Sequence, residues 1–138
     1  MEIKNRIDDN ELSEIFNISK EQFGSESWTM DQFKSSFLSP TSIFIVAKDT
    51  NITSFLVAQD CIDNIDLLLI ATRETEKRKG FASALINELG KYQKPIFLEV
   101  RKNNLPAKRL YESEGFNLIS EREKYYKDGQ SALIYQKK

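Results

Sequence analysis

The sequence predicts an α/β (α+β) protein: a twisted mixed central sheet with flanking helices. Three observations lead there. "IDLLLIAT", "GFASALINEL" and "PIFLEV" follow one another as strand, helix and strand, a crossover that makes two strands parallel. "SIFIVAK" with "ITSFLVAQD", and "FNLISEREKYY" with "SALIYQK", are strand-like pairs joined by the turn-like "DTN" and "KDGQ", so each predicts an antiparallel hairpin. The chain has 138 residues, 40% apolar and 30% charged, values of one ordinary globular domain. No repeat, linker or low-complexity stretch divides it, so one domain is expected over residues 1–138.

Taken in order, "EIKNRI" reads as a first strand. In "DDNELSEIFNISKEQF" the residues Leu12, Ile15, Phe16, Ser19 and Phe23 fall on one helical face, with Asp8 or Asp9 as the cap. "TMDQFKSSFL" is a second short helix, ended before Pro40. The first hairpin follows, then "IDLLLIAT", a buried-looking strand. The next helix buries Phe81, Leu85 and Leu89, with Ala82 and Ile86 alongside. "LPAKRLYESE" is a helix with Pro106 in its first turn and Gly115 as a left-handed stop. The second hairpin closes the chain.

Composition removes several functions. The chain has no histidine, which excludes a Ser-His-Asp or Cys-His hydrolase in its usual form and a histidine-rich metal site. Proton transfers fall to Asp, Glu, Tyr, Lys or Cys. A net charge of −1 argues against a dedicated nucleic-acid binder. The single cysteine, Cys61, forms no internal disulfide and suits a reducing compartment. The charged N-terminus lacks the apolar core of a signal peptide, and the longest apolar run, "LLLIA", is too short to cross a bilayer. The expectation is a cytoplasmic protein.

"EKRKGFASALINELG", residues 76–90, carries the first chemical signal. Lys77, Arg78 and Lys79 stand at the entrance of a helix, where its dipole disfavours cations unless an anion is present. Gly80 has no Cβ and lets a ligand approach the backbone; Ala82 keeps the next contact small. Strand, basic loop and helix N-terminus together suit a diphosphate. The bland alternative is a solvated basic turn. Neither a Walker loop nor a Rossmann fingerprint is present.

"FLEVRKNNLPAKRLYESEGF", residues 97–116, carries the second. Alternation puts Ile96, Leu98 and Val100 on one side of a strand and Phe97, Glu99 and Arg101 on the other. A carboxylate among apolar neighbours is a candidate base with a raised pKa; the competing reading pairs Glu99 with Arg101. Tyr111 follows Asn103 and Asn104 in mid-helix, where a packing role is the alternative.

From Leu67 onward the basic loop, "LEVR" and "NN…AKRLYESEGF" resemble the GNAT N-acetyltransferase superfamily, and within it the ribosomal-protein alanine N-acetyltransferases of the RimI type. "SWTMDQF", residues 27–33, is similar to the segment ahead of that family's second helix. The resemblance implies the GNAT fold, with splayed central parallel strands, and acetyl-CoA as co-substrate without a metal. Ile70, Ala71 and Thr72 would pair with the pantetheine arm. Lys77, Arg78, Lys79, Gly80, Phe81, Ala82 and Ser83 would wrap the pyrophosphate, and Asn104 would reach the thioester end. Glu99 matches the proton acceptor and Tyr111 the proton donor. The implied acceptor is an amine, first of all the N-terminal alanine of a ribosomal protein, with another protein N-terminus, a lysine or a small amine as alternatives. Nucleic acid and membrane are not expected as partners.

The chain departs from the family at Lys77, where Gln or Arg is usual, at Ala82 for glycine, at Leu69 for a frequent Asn, and near Ser131 for an acidic residue. Cys61 reads as a small edge or buried thiol rather than an acetylated nucleophile, since it lacks a histidine partner. Trp28, Phe33 and Phe37 read as core and groove wall. A CoA-binding module without turnover and an RNA-contacting module using Lys77 to Lys79, Lys108 and Arg109 are the other classes; retained Glu99 and Tyr111 oppose the first and the net charge the second.

Overall fold

The computed structural model describes residues 1–138, and seven strands form one mixed sheet. β1 (Glu2–Lys4), β2 (Ser42–Lys48), β3 (Ile52–Asp60) and β4 (Ile65–Thr72) are successive antiparallel neighbours. β5 (Ile96–Arg101) joins β4 in parallel. β7 (Ala132–Lys137) lies between β5 and β6 (Asn117–Arg122), antiparallel to both. The mixed sheet, the crossover and both hairpins are as predicted.

Alternating side chains feed two cores. Ile43, Ile45 and Ala47 of β2 point to one face, where α3 (Phe81–Leu89) buries Phe81, Leu85, Ile86 and Leu89 and α4 (Leu105–Ser113) adds Ala107 and Tyr111. Phe44 and Val46 point to the other, under α1 (Asp9–Phe23) and α2 (Met30–Leu38). There Phe33 is edge-on to Phe55 with ring centroids 6.1 Å apart, and Trp28 leans on it at 5.2 Å. Trp28, Phe33 and Phe37 are therefore core, and none reaches the cleft described below.

The helix ends follow local chemistry. Asp8 caps α1 in a reciprocal box with Glu11, and Thr29 does the same for α2 with Gln32. Glu11 is also buried and accepts from Lys4 at 2.8 Å and Lys48 at 2.7 Å, tying β1 and β2 to α1. α4 ends in a Schellman turn. Gly115 takes φ 91, Phe116 N–H donates to Tyr111 C=O at 3.0 Å, and the two rings pack at 5.6 Å.

Several expectations need correction. β1 stops at Lys4, because the chain turns to present Asp8 as a cap. On α1, Ile18 is buried and Phe23 is 37% exposed at the helix end. β6 ends at Arg122, so Tyr125 and Tyr126 lie in the connection to β7 rather than in a strand. β4 is only half buried: Leu68 is 44% exposed, because the strand faces a gap.

That gap has a visible cause. β4 and β5 pair only at Ile65↔Ile96 and Asp66↔Phe97. On its other edge β4 carries a bulge: Val57 faces Leu69 and Ala58 faces Leu67, which leaves Leu68 without a partner on β3. A bulge bends its strand and increases its twist. Beyond Asp66 the two strands part and leave backbone groups of β4 facing open space.

Candidate active site

A cleft of about 680 Å³ opens where β4 and β5 separate. One side is β4 from Leu68 to Thr72, the other Glu99 to Arg101 on β5, and the N-terminus of α3 and one side of α4 close it. The volume is that of a typical small-molecule site. Ile70 and Thr72 line it with half-buried side chains; Ala71 turns its methyl into the core, so its contribution to the cleft is backbone.

At one end lies the loop into α3. Gly80 is left-handed at φ 84, and a Cβ placed there would meet nothing within 4 Å. No side chain caps the helix. No backbone N–H from Lys77 to Ser83 donates to a protein acceptor, whereas Ala84 N–H already bonds Gly80 C=O at 3.1 Å. A run of free N–H groups at a positive helix end is an anion cradle. The side chains differ from expectation. Lys77 pairs with Glu74 at 3.3 Å and Lys79 with Glu76 at 2.6 Å, so carboxylates within the same turn offset two of the cations. Arg78, left-handed at φ 66, has no carboxylate partner and lines the cleft, while Lys79 does not reach it. Phe81 is a core side chain, and the Ser83 hydroxyl donates to Glu114 at 2.6 Å. Those two residues offer an anion their backbone rather than their side chains. Ala82 lines the wall, half-buried.

Glu99, Asn104 and Tyr111 all line the cleft. Glu99 is exposed on the β5 wall, so the apolar surroundings expected for it are absent. It does not pair with Arg101 either. That guanidinium donates to Asp128 at 2.8 Å and lies 4.0 Å from the Tyr126 ring centre. Asn104 caps α4, its Oδ1 accepting from Ala107 N–H at 3.2 Å, which leaves its amide donors unused. Tyr111 is half-buried, and burial pushes its phenol up to about 12, so it holds its proton at any ordinary pH.

Tyr126 was not singled out from the sequence, and it lines the cleft near Glu99. Burial first and the Glu99 charge second raise its phenol. The adjacent tyrosines were a signal, but their place inside a long hairpin connection was not predictable from spacing. Gln22, Phe23 and Glu26, from the end of α1 and the turn after it, also line the cleft. Cys61 lies elsewhere, beside Asp66 at 3.7 Å near the start of β4. Burial and then Asp66 push its thiol up, which suits an inert thiol. Ser131 precedes β7, its C=O accepting from Lys102 N–H at 2.9 Å. Leu69 packs against the α1 and α2 core. No group of three or more His, Cys, Asp or Glu side chains is placed to hold a metal ion, and no helix is long and apolar enough to cross a membrane.

Comparison with known proteins agrees with this architecture. The ribosomal protein bS18-alanine N-acetyltransferase of Haemophilus ducreyi is 37% identical over 81 residues, 55% of this chain and 56% of its own length. An N-alpha-acetyltransferase of Saccharolobus solfataricus is 38% identical over 71 residues, 47% of this chain and 42% of its own. The chain thus spans about half the length of these curated relatives. The crystal structure of the ribosomal-protein-S18-alanine N-acetyltransferase from Escherichia coli superposes with a TM-score of 0.85 at 26% identity, over 99% of this chain and 92% of that one. The family described as FR47-like protein matches residues 45–126, more than half of the 138 residues. The protein therefore belongs to the FR47-like family, within the GNAT N-acetyltransferases.

Proposed function

We propose that this chain, as one catalytic domain, transfers an acetyl group from acetyl-CoA to the α-amine of a protein N-terminus, most specifically the terminal alanine of a small-subunit ribosomal protein. The observation that carries the reading is the gap between β4 and β5, with an uncapped, glycine-started helix N-terminus at one end and Glu99 with Tyr111 at the other. Acetyl-CoA supplies the activated acetyl group. The chain supplies the rest. Free N–H groups from Lys77 to Ser83, with Arg78, bind the diphosphate. The parted edge of β4 from Ile70 to Thr72 pairs with an extended amide-bearing arm, as a strand would. Asn104 has amide donors free for the inner end of that arm.

A protonated amine cannot attack a thioester, so a base is needed. Glu99 removes the proton, directly or through water, from an exposed position that an entering amine can reach. Tyr111 donates to the sulfur as it leaves. Burial favours the neutral form of any acid, so the desolvation that raises the phenol also raises a departing thiolate's demand for a proton. The alanine assignment rests on the bS18-alanine and N-alpha-acetyltransferase relatives. It is tested by incubating the purified chain with acetyl-CoA and peptides beginning with Ala, Ser or Met, or carrying only a lysine amine. Mass spectrometry should find the acetyl group on the N-terminal alanine. Preferential modification of lysine would replace that acceptor, and no transfer to any amine would overturn the reading.

A further inference from the structure

Arg101 follows Glu99 by two residues on the same side of β5, at the amine end of the cleft. It contacts two separate walls. Its Nη1 donates to Asp128 at 2.8 Å, and its guanidinium carbon stands 4.0 Å from the Tyr126 ring centre; both partners belong to the connection between β6 and β7. Its Nη2 lies 3.8 Å from Glu26, in the turn that follows α1. Glu26, Arg101 and Tyr126 all line the cleft. No other ion pair or side-chain hydrogen bond links residues 123–131 to residues 24–29. The connection is otherwise held by bonds within itself and by Lys102 N–H, which donates to Ser131 C=O at 2.9 Å on the β5 side.

We propose that Arg101 is a strap across the amine end of the cleft, holding these two walls at a fixed separation and so selecting acceptors by width. This rests on the acetyl-transfer reading above. The short Asp128 contact and the stacked Tyr126 anchor one end of the strap. The longer Glu26 contact is the end that yields when an acceptor enters. Two carboxylates offset the guanidinium charge, so the strap does not repel an ammonium group. A planar fork that bonds one wall and stacks on a ring cannot be replaced in full by lysine. The strap favours a slender, extended N-terminus over one that begins with a bulky side chain.

The test uses the full chain and the variants Arg101→Ala, Arg101→Lys and Asp128→Asn. Amide hydrogen exchange over residues 123–131 reads the strap without turnover. Acetyl-CoA affinity, and kcat and KM for peptides beginning with Ala or with Trp, read its consequence. Losing an exposed ion pair and a stacked cation should speed exchange and raise KM for the Ala peptide by about three- to thirtyfold. The preference over the Trp peptide should shrink, kcat should stay within about twofold and acetyl-CoA affinity should hold, with Arg101→Lys between wild type and Arg101→Ala. Asp128→Asn changes an exposed loop residue and carries the test if Arg101→Ala does not fold. Unchanged exchange and unchanged KM would overturn the proposal. A fall in kcat alone would also overturn it, since Arg101 would then serve the chemistry. If wild type acetylates no amine, the functional reading falls while the exchange measurement still decides the strap.

Discussion

Tyr111→Phe removes one oxygen from the cleft and little else. The ring keeps its edge-on contact with Phe116 at 5.6 Å and its place against the core. The hydroxyl has no protein hydrogen-bond partner, and Ser54 Oγ is the one buried side-chain polar atom left unpaired, so the phenol reaches the solvent of the cleft. Its deletion orphans no partner. Stability should therefore change by less than about 1 kcal/mol, a shift of a few degrees in Tm. If the hydroxyl serves the leaving sulfur, kcat should fall by about ten- to a thousandfold, equivalent to ~1.4–4 kcal/mol of barrier. Acetyl-CoA affinity should hold, because the hydroxyl matters once charge builds on sulfur. With the phenol pushed up to about 12, wild type should show no loss of rate from this group below about pH 11. Steady-state kinetics, calorimetric titration and a melt on one preparation provide the numbers. A wild-type kcat in Tyr111→Phe would refute the donor role and leave a packing tyrosine.

Three further outcomes follow from other parts of the molecule. Glu99→Gln should leave fold and acetyl-CoA binding intact and lower kcat by ~10²–10⁴ near neutrality, with partial recovery at high pH as more amine is neutral; a wild-type pH–rate profile removes Glu99 from the mechanism. Gly80→Val should weaken acetyl-CoA binding in calorimetric titration, because its Cβ enters the open space beside the helix N-terminus, and φ 84 should cost ~1–2 kcal/mol of stability; unchanged affinity makes the loop a mere connector. Burial raises the Glu11 carboxyl, but hydrogen bonds from Lys4 and Lys48 outweigh it and hold the group at about 2 against an ordinary 4.5. A depressed carboxyl stabilises the fold above its unfolded value and loses that as pH falls from 4.5 toward 2, about 3 kcal/mol in all; Glu11→Gln should flatten the acid limb of a Tm-against-pH curve, and an unaltered limb contradicts the assignment.

The elements with short-range causes were legible in the sequence. Asp8 with Glu11, Thr29 with Gln32 and Gly115 with Phe116 each complete a helix end within a few residues, and the alternation in β2 and β5 follows from strand geometry. The crossover places Glu99, Asn104 and Tyr111 on one cleft. What stayed hidden depends on partners distant in the chain. Leu68 shows no glycine or proline to mark a bulge; only its register against Val57 and Ala58 reveals one. Three cations before Gly80 suggested a strongly positive loop, yet Glu74 and Glu76 fold back on Lys77 and Lys79. Ser83 was expected in the loop around the pyrophosphate, and its hydroxyl is taken by Glu114, just past the end of α4. Glu99 looked buried by pattern, and it is exposed because the strand beside it has moved away. Glu26, Arg101 and Tyr126 meet across about a hundred residues, beyond any motif window.

Amide NMR of the isotopically labelled chain during titration with acetyl-CoA reads directly where acetyl-CoA binds. Shifts are predicted to concentrate on the parted edge of β4 from Leu68 to Thr72 and on the free N–H groups from Lys77 to Ser83, while residues around Cys61 stay still. No shifts at saturating acetyl-CoA, or shifts gathered away from these two segments, would contradict the central claim.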